Sequence, residues 1–194
     1  MLLRVAERTF ELVGGAEPGR LRVVPYDPAW ALRYRVVRSR LAAALGPLAR
    51  RIDHVGSTSV PGLHAKPIVD VQVVLADGVD LDDERAYAPR FGVAGFAVRV
   101  REPGEHRMFR SPGRGVHVHL WADAADVRRH LLFVAWLRED DADRDAYAAL
   151  KRELAQRRWP SMDHYAQAKG PLIAEITARA EGWARRTGWD GARG

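Results

Sequence analysis

The chemistry-bearing residues of this chain crowd into two short stretches, HVGSTSVPGLHAKPIVD at 54–70 and VHVHLW at 116–121. In the first, Gly56 has no side chain, so the backbone can approach an anion and offer its amides, and Ser57, Thr58 and Ser59 add hydroxyls beside it. Asp70 is the one charge in the apolar run Ile68 to Val74. A carboxylate in such a run is costly unless a cation or hydrogen-bond donors meet it, so the stretch reads as a phosphate cradle facing a metal-binding acid. In the second stretch, His117 and His119 alternate with Val116, Val118 and Leu120 and share one strand face. From that face they can meet Asp70, with His119 as a metal ligand or base; hydrogen-bonded packing is the structural alternative and weighs equally for His117. His54 precedes the glycine turn, where it either touches a phosphate or bonds a neighbouring strand.

Cationic candidates are unusually easy to pick out. Of 31 basic residues only Lys66, Lys151 and Lys169 are lysines. An ammonium is a compact point charge that an arginine fork does not reproduce, so lysines retained in an arginine-biased chain are candidates for neutralising phosphate charge, weighed against retention by chance. Tyr147 and Lys151 lie four apart on an expected helix, as do Tyr165 and Lys169. Each pair can aim a phenol and an ammonium at a cleft, or pack the ring under the lysine stem and leave the ammonium in water. Arg107 and Arg110, with Arg114 beyond them, are candidates to clamp a triphosphate or carboxylate if their strand faces the cleft.

These residues need elements to position them. A strand over Arg51 to Val55 ends at the Gly56 turn, and a second over Ile68 to Val74 carries Asp70, entered through Pro67. Before them, Leu21 to Tyr26 reads as a strand and Asp27-Pro28 as the start of a helix to about Leu45, with Leu32, Val36, Val37, Leu41 and Leu45 as its apolar face. Beyond them come a short helix over 82–90 and extended segments at 96–101, 107–110 and 116–121. The remainder is helical over 127–138, 142–157 and 163–186, broken at Gly170-Pro171. Trp121, Trp136, Trp159 and Trp183 serve as packing anchors. The expected architecture is α+β: a mixed sheet covered by helices, with a C-terminal helical layer.

Composition narrows the function further. The chain has 194 residues and no cysteine, which excludes disulfides, thiolate metal sites and cysteine nucleophiles. The net charge of +6 comes from positive residues scattered among acids rather than from a basic tail, which argues against a nucleic-acid footprint. No uncharged segment approaches a membrane span, so the expectation is a cytoplasmic protein. It divides into an extension over 1–20, a single domain over 21–187 and a flexible tail over 188–194.

VVPYDPAW at 23–30, IDHVGSTSVPGLHAKPIVD at 52–70, HVHLW at 117–121, RRHLLF at 128–133, YAALKRELA at 147–155 and the Tyr165–Lys169 pair together resemble the GrpB-like family. The resemblance spans about residues 21–180 and implies a nucleotidyltransferase-type fold. Two positions depart from the patterns it brings. Where transferases of the wider superfamily carry a second acid two residues after the first, this chain has Gln72; where the family shows an arginine and an aspartate, it has Val134-Ala135. The expected function is metal-dependent nucleotidyl or related phosphoryl transfer from a nucleoside triphosphate to a small-molecule acceptor, with Mg²⁺ or another divalent metal on Asp70 and His119. Gly56, Ser57, Thr58, Ser59, His54, Arg107, Arg110, Lys151 and Lys169 would hold the nucleotide, and Lys66 would neutralise developing charge. The alternatives are a non-catalytic module binding a nucleotide or phosphometabolite, which Gln72 and Val134-Ala135 favour, and a histidine-based group transfer or ligation in the same cleft.

Overall fold

The computed structural model describes residues 10–15, 22–122, 124–159 and 162–191. Strands β1 (Glu11–Leu12), β2 (Ala49–Val55), β3 (Val69–Leu75), β4 (Ala97–Glu102), β5 (His106–Arg110) and β6 (Val116–Trp121) form one sheet in the order β1-β4-β5-β6-β3-β2. The sheet is mixed: β3 runs parallel to β6, and all other neighbours are antiparallel. Helices α1 (Ala29–Leu45) and α2 (Ala88–Val93) pack on one face, whereas α3 (Ala124–Glu139), α4 (Asp141–Ala155), α5 (Met162–Ala168) and α6 (Gly170–Thr187) build the C-terminal layer. The fold is α+β, as the order of elements in the sequence implies.

Period-two alternation assigns the two sheet faces. Val69, Val71 and Val73 of β3, with Phe109, Val118 and Leu120, enter the core shared with α1 and α2. Asp70 and Gln72 point the other way, toward the C-terminal layer, where Gln72 Nε2 donates to the Val127 carbonyl of α3 at 3.3 Å. Helix α1 starts where Asp27 Oδ1 accepts from the Ala29 amide at 2.9 Å. Its buried stripe is Trp30, Val37, Leu41 and Leu45, while Leu32 and Val36 are exposed at 56 % and 61 %. The expected apolar face is therefore rotated: Trp30 and the half-buried Tyr34, not Leu32 and Val36, continue the i, i+4, i+7 stripe that ends at Leu45.

Within the C-terminal layer, Asp143 joins three helices. It accepts from Trp136 Nε1 of α3 at 2.7 Å and takes two bonds from Arg179 of α6 at 2.8 and 2.7 Å, while its own amide is capped by Asp140. The tryptophans are anchors as expected: Trp136 meets Trp183, Trp159 meets Tyr165, and Trp121 stacks on His106.

Three boundaries differ from expectation. Of the proposed 21–26 strand, residue 21 lies outside the described residues, and 22–26 form only a single bridge between Val24 and Ala65, because Pro25 and the nearby Pro28 leave no continuous ladder. Glu11 and Leu12, inside the expected extension, instead add an edge strand to β4. At the other end Trp189 packs on Trp183 and the Gly191 carbonyl accepts from Arg51 at 2.6 Å. Residues 1–9 and 16–20 of the extension and residues 192–194 of the tail lie outside the described residues. Among the described residues, no helix is long and apolar enough to cross a membrane.

Candidate functional site

The Gly56 turn sits against Asp70 because β2 and β3 pair antiparallel with Val55 opposite Asp70. Gly56 takes φ 68° and ψ −177°, a conformation open essentially to glycine alone. Space demands glycine as well: a Cβ there would collide with the Asp70 carboxylate and sit 3.0 Å from its Cβ. Ser57 to Ser59 then form a single 3₁₀ turn. Thus the turn and the acid line one pocket, as the spacing predicted.

The parallel pairing of β3 with β6 places Asp70 beside His117 and Gln72 beside His119. His117 Nδ1 lies 3.5 Å from Asp70 Oδ1, and His119 Nε2 lies 3.6 Å from the same oxygen. One donor atom from each of the three residues falls within 4.8 Å of the others, a spacing that a single metal ion can bridge. Burial alone would raise the Asp70 carboxyl, but hydrogen bonds and charge from His117 and His119 outweigh it and hold the group well below the usual carboxylate range. Asp70 is thus an anion ready for a cation.

Behind His119 stands a residue that sequence reading did not single out. His106 Nε2 lies 3.0 Å from His119 Nδ1, and His106 Nδ1 lies 3.2 Å from Glu102 Oε2. Trp121 stacks on the His106 ring with centroids 3.9 Å apart. The chain Glu102–His106–His119 fixes the ring of His119 with its Nε2 toward Asp70, the arrangement that commonly orients a metal-ligating histidine.

All three lysines of the protein converge on this pocket, which encloses about 180 Å³ and is lined by Ser57, Asp70 and His117 together with Lys66, Lys151 and Lys169. Lys151 Nζ donates to Ser57 Oγ at 2.9 Å and lies 4.4 Å above the Tyr147 ring. Lys66 and Lys169 both lie over Tyr165, at 4.6 and 4.7 Å from the ring centre. The Lys151 side chain is shut off from bulk water, being 3 % exposed, whereas Lys66 and Lys169 are half-buried. Burial, reinforced by Lys169, lowers Lys151 to about 7. Burial, then Lys66, lowers Lys169 to about 8 against the pull of Asp70. Lys66 is lowered by burial too, with Asp70 opposing. An anion entering the pocket would relieve all three.

Other candidates sit elsewhere. Arg107 pairs opposite Leu120 on the far face, buried against the α2 side, where Nε donates to Glu84 at 2.8 Å, the guanidinium pairs with Asp82 and one amino group bonds the Glu102 carbonyl. It is a structural ion pair and does not reach the cleft, because odd and even positions of β5 face opposite sides. Arg110 pairs opposite His117 and shares its face, while Arg114 is exposed in the next turn. His54 also points away from the pocket: it stacks on Tyr34 at 4.7 Å and meets Thr58 Oγ1 at 3.1 Å. Burial lowers His54 to about 4, partly opposed by Asp70. Thr58 lines the pocket, but the Ser59 hydroxyl is spent on the Gly56 carbonyl at 2.7 Å, closing the turn. Gln72 is fully buried, with Nε2 donating to the Val127 carbonyl at 3.3 Å and Oε1 without a hydrogen-bond partner among the described residues, and it brings no charge to the position of a second acid.

Residues 20–179 match the family described as GrpB protein. A UPF0157 protein from Streptomyces coelicolor is 45 % identical over 179 residues, covering 92 % of this chain and 93 % of its own length. Another from Halalkalibacterium halodurans is 40 % identical over 173 residues, covering 87 % of each. The crystal structure of conserved protein GrpB from Enterococcus faecalis superposes with a TM-score of 0.71 at 31 % identity, covering 84 % of this chain and 99 % of that one. With its sequence matched over residues 20–179 and its fold matched in a solved relative, this chain belongs to the GrpB family.

Proposed function

We propose that the protein binds a phosphorylated small molecule beside a divalent metal and carries out nucleotidyl or related phosphoryl transfer from it to a small-molecule acceptor. The observation that carries this reading is the convergence of every lysine in an arginine-rich chain on the pocket of Asp70 and His117. Three ammoniums against one carboxylate leave a positive surplus suited to phosphate oxygens.

The residues fit a metal. Two imidazole nitrogens and a carboxylate oxygen within 4.8 Å favour Mn²⁺, Fe²⁺ or Zn²⁺ over Mg²⁺, which prefers an all-oxygen shell. Bound there, such an ion supplies Lewis-acid polarisation of a phosphoryl oxygen. The chain's own groups do the rest: Lys66, Lys151 and Lys169 balance phosphate charge, and Gly56 lets the turn close against Asp70. His106 and Glu102 hold His119 in its orientation.

The reading as a non-catalytic binding module is favoured by Gln72, which stands where a two-metal transferase needs its second acid; among the described residues no further acid joins the Asp70 cluster. Thermal-shift titration with Mn²⁺, Zn²⁺, Mg²⁺ and nucleoside triphosphates, followed by phosphorus NMR of the reaction mixture, tests both. The transferase reading expects metal-dependent stabilisation and released pyrophosphate or phosphate, both lost in Asp70→Asn. Stabilisation without product selects the binding module. A parent protein indifferent to every metal and nucleotide overturns both.

A further inference from the structure

Beyond the lysine pocket a second cavity opens from the same turn. It holds about 710 Å³ between α3, α4 and α6, and Gly56, Ser57 and Tyr147 form its wall toward Asp70. Phe133, Val134, Leu137, Ile173 and Ala174 make most of its lining apolar, although Arg129, His130 and Glu181 also border it. Thr177 adds little polarity, because its hydroxyl is satisfied by the Ile173 carbonyl at 2.7 Å. The two compartments differ in both size and character. The lysine pocket, about 180 Å³, is smaller than cavities that enclose whole ligands, and the apolar one falls within that range.

We infer that one molecule occupies both: a phosphate ester whose phosphate lies among Lys66, Lys151 and Lys169 and whose aromatic or branched apolar body fills the cleft between α3, α4 and α6. The shared wall supports one occupant. Ser57 lines both spaces; its hydroxyl accepts from Lys151 on the charged side and is hydrogen-bonded with the Tyr147 phenol, whose residue lines the apolar side. Gly56 backs onto Asp70 in one direction and borders the cleft in the other. A phosphate held at Ser57 therefore has its ester oxygen beside an apolar surface, and a body attached there removes that surface from water. Recognition of the body is by shape and apolar contact, so the group esterified to the phosphate sets the substrate class, not phosphate alone.

This inference rests on the phosphate reading of the lysine pocket, and the experiment separates the two. Calorimetric titration of the full chain with methyl phosphate, phenyl phosphate and 1-naphthyl phosphate, in the presence of Mn²⁺, keeps the head group constant while the body grows. Affinity should rise roughly ten- to hundredfold along the series. Ala174→Trp, at an exposed helix position that borders the cleft, should bring the ratio of naphthyl to methyl phosphate affinity down to about one. Equal affinity for all three esters overturns the inference while leaving the phosphate reading intact. So does 1-naphthol binding as tightly as its phosphate, since the cleft would then act alone. Failure of every ester to bind, methyl phosphate included, overturns the phosphate reading and this inference with it.

Discussion

His106 Nε2 and His119 Nδ1 share a hydrogen bond of 3.0 Å between neighbouring strands, and that bond leaves Nε2 of His119 to face Asp70. The pairing of His106 opposite Trp121 makes it possible, since His119 then lies two residues back on the same face. His106→Phe keeps a ring to stack on Trp121 and removes the bond. The variant should fold, and its affinity for Zn²⁺ or Mn²⁺ should fall about 10- to 100-fold in a chelator-competition titration. An unchanged metal affinity would show that His119 is oriented without His106.

Gly56 makes a sharper demand. Its backbone conformation and the proximity of Asp70 both exclude a side chain. Gly56→Ala should lower stability by about 1–3 kcal/mol from backbone strain alone and displace the Asp70 carboxylate. The expected result is loss of metal binding in a protein that still unfolds cooperatively in urea. A variant matching the parent in both midpoint and metal affinity would mean the turn has room to relax.

What could be read from the residues was what depends on local pattern. β-Branched runs marked β3, alternation marked β6 over 116–121, and the Gly170-Pro171 break marked the boundary between α5 and α6. The arginine bias singled out the lysines before any geometry was known. Whatever depends on register or on distant partners escaped. Arg107 and Arg110 look equivalent along the chain, yet pairing sends Arg107 toward Asp82 and Glu84 and leaves Arg110 opposite His117. His106 carried no signal because its value comes from two neighbouring strands. Leu32 and Val36 competed with Trp30 and Tyr34 for the apolar face of α1, and only the packing of Trp30 against the core decides between them. Strand β1, two residues long, has no detectable period.

Arg107 offers a control outside the site. Its side chain is 5 % exposed and its partners Asp82 and Glu84 are 48 % and 20 % exposed. Arg107→Met leaves Glu84 its pair with Arg101 at 2.7 Å and Asp82 its bonds from the Gly104 amide, so the loss of stability should fall below the roughly 3–5 kcal/mol of breaking an isolated buried pair. Divalent-metal affinity should match the parent. A selective loss of metal or phosphate binding at unchanged stability would return Arg107 to the cleft.

The lysine pocket makes the pH dependence of stability diagnostic. Burial and Lys169 lower Lys151 to about 7, whereas the unfolded chain keeps the ordinary value of 10.5. Between those values the unfolded state holds a proton on Lys151 that the folded state does not, so stability rises with pH across the window. Below about pH 7 the ammonium is carried into the buried pocket charged, at a cost on the order of a few kcal/mol. Lys151→Met removes this term together with the bond to Ser57, and the lost bond contributes a pH-independent offset. The stability of the variant relative to the parent should therefore be greatest near pH 6 and decline steadily toward pH 10 in urea unfolding. Saturating pyrophosphate at neutral pH should reverse the order, because an anion stabilises the charged ammonium of the parent and finds none at residue 151 in the variant. A difference between the two proteins that stays constant over the whole pH range would mean that Lys151 titrates normally and that the pocket is not short of negative charge.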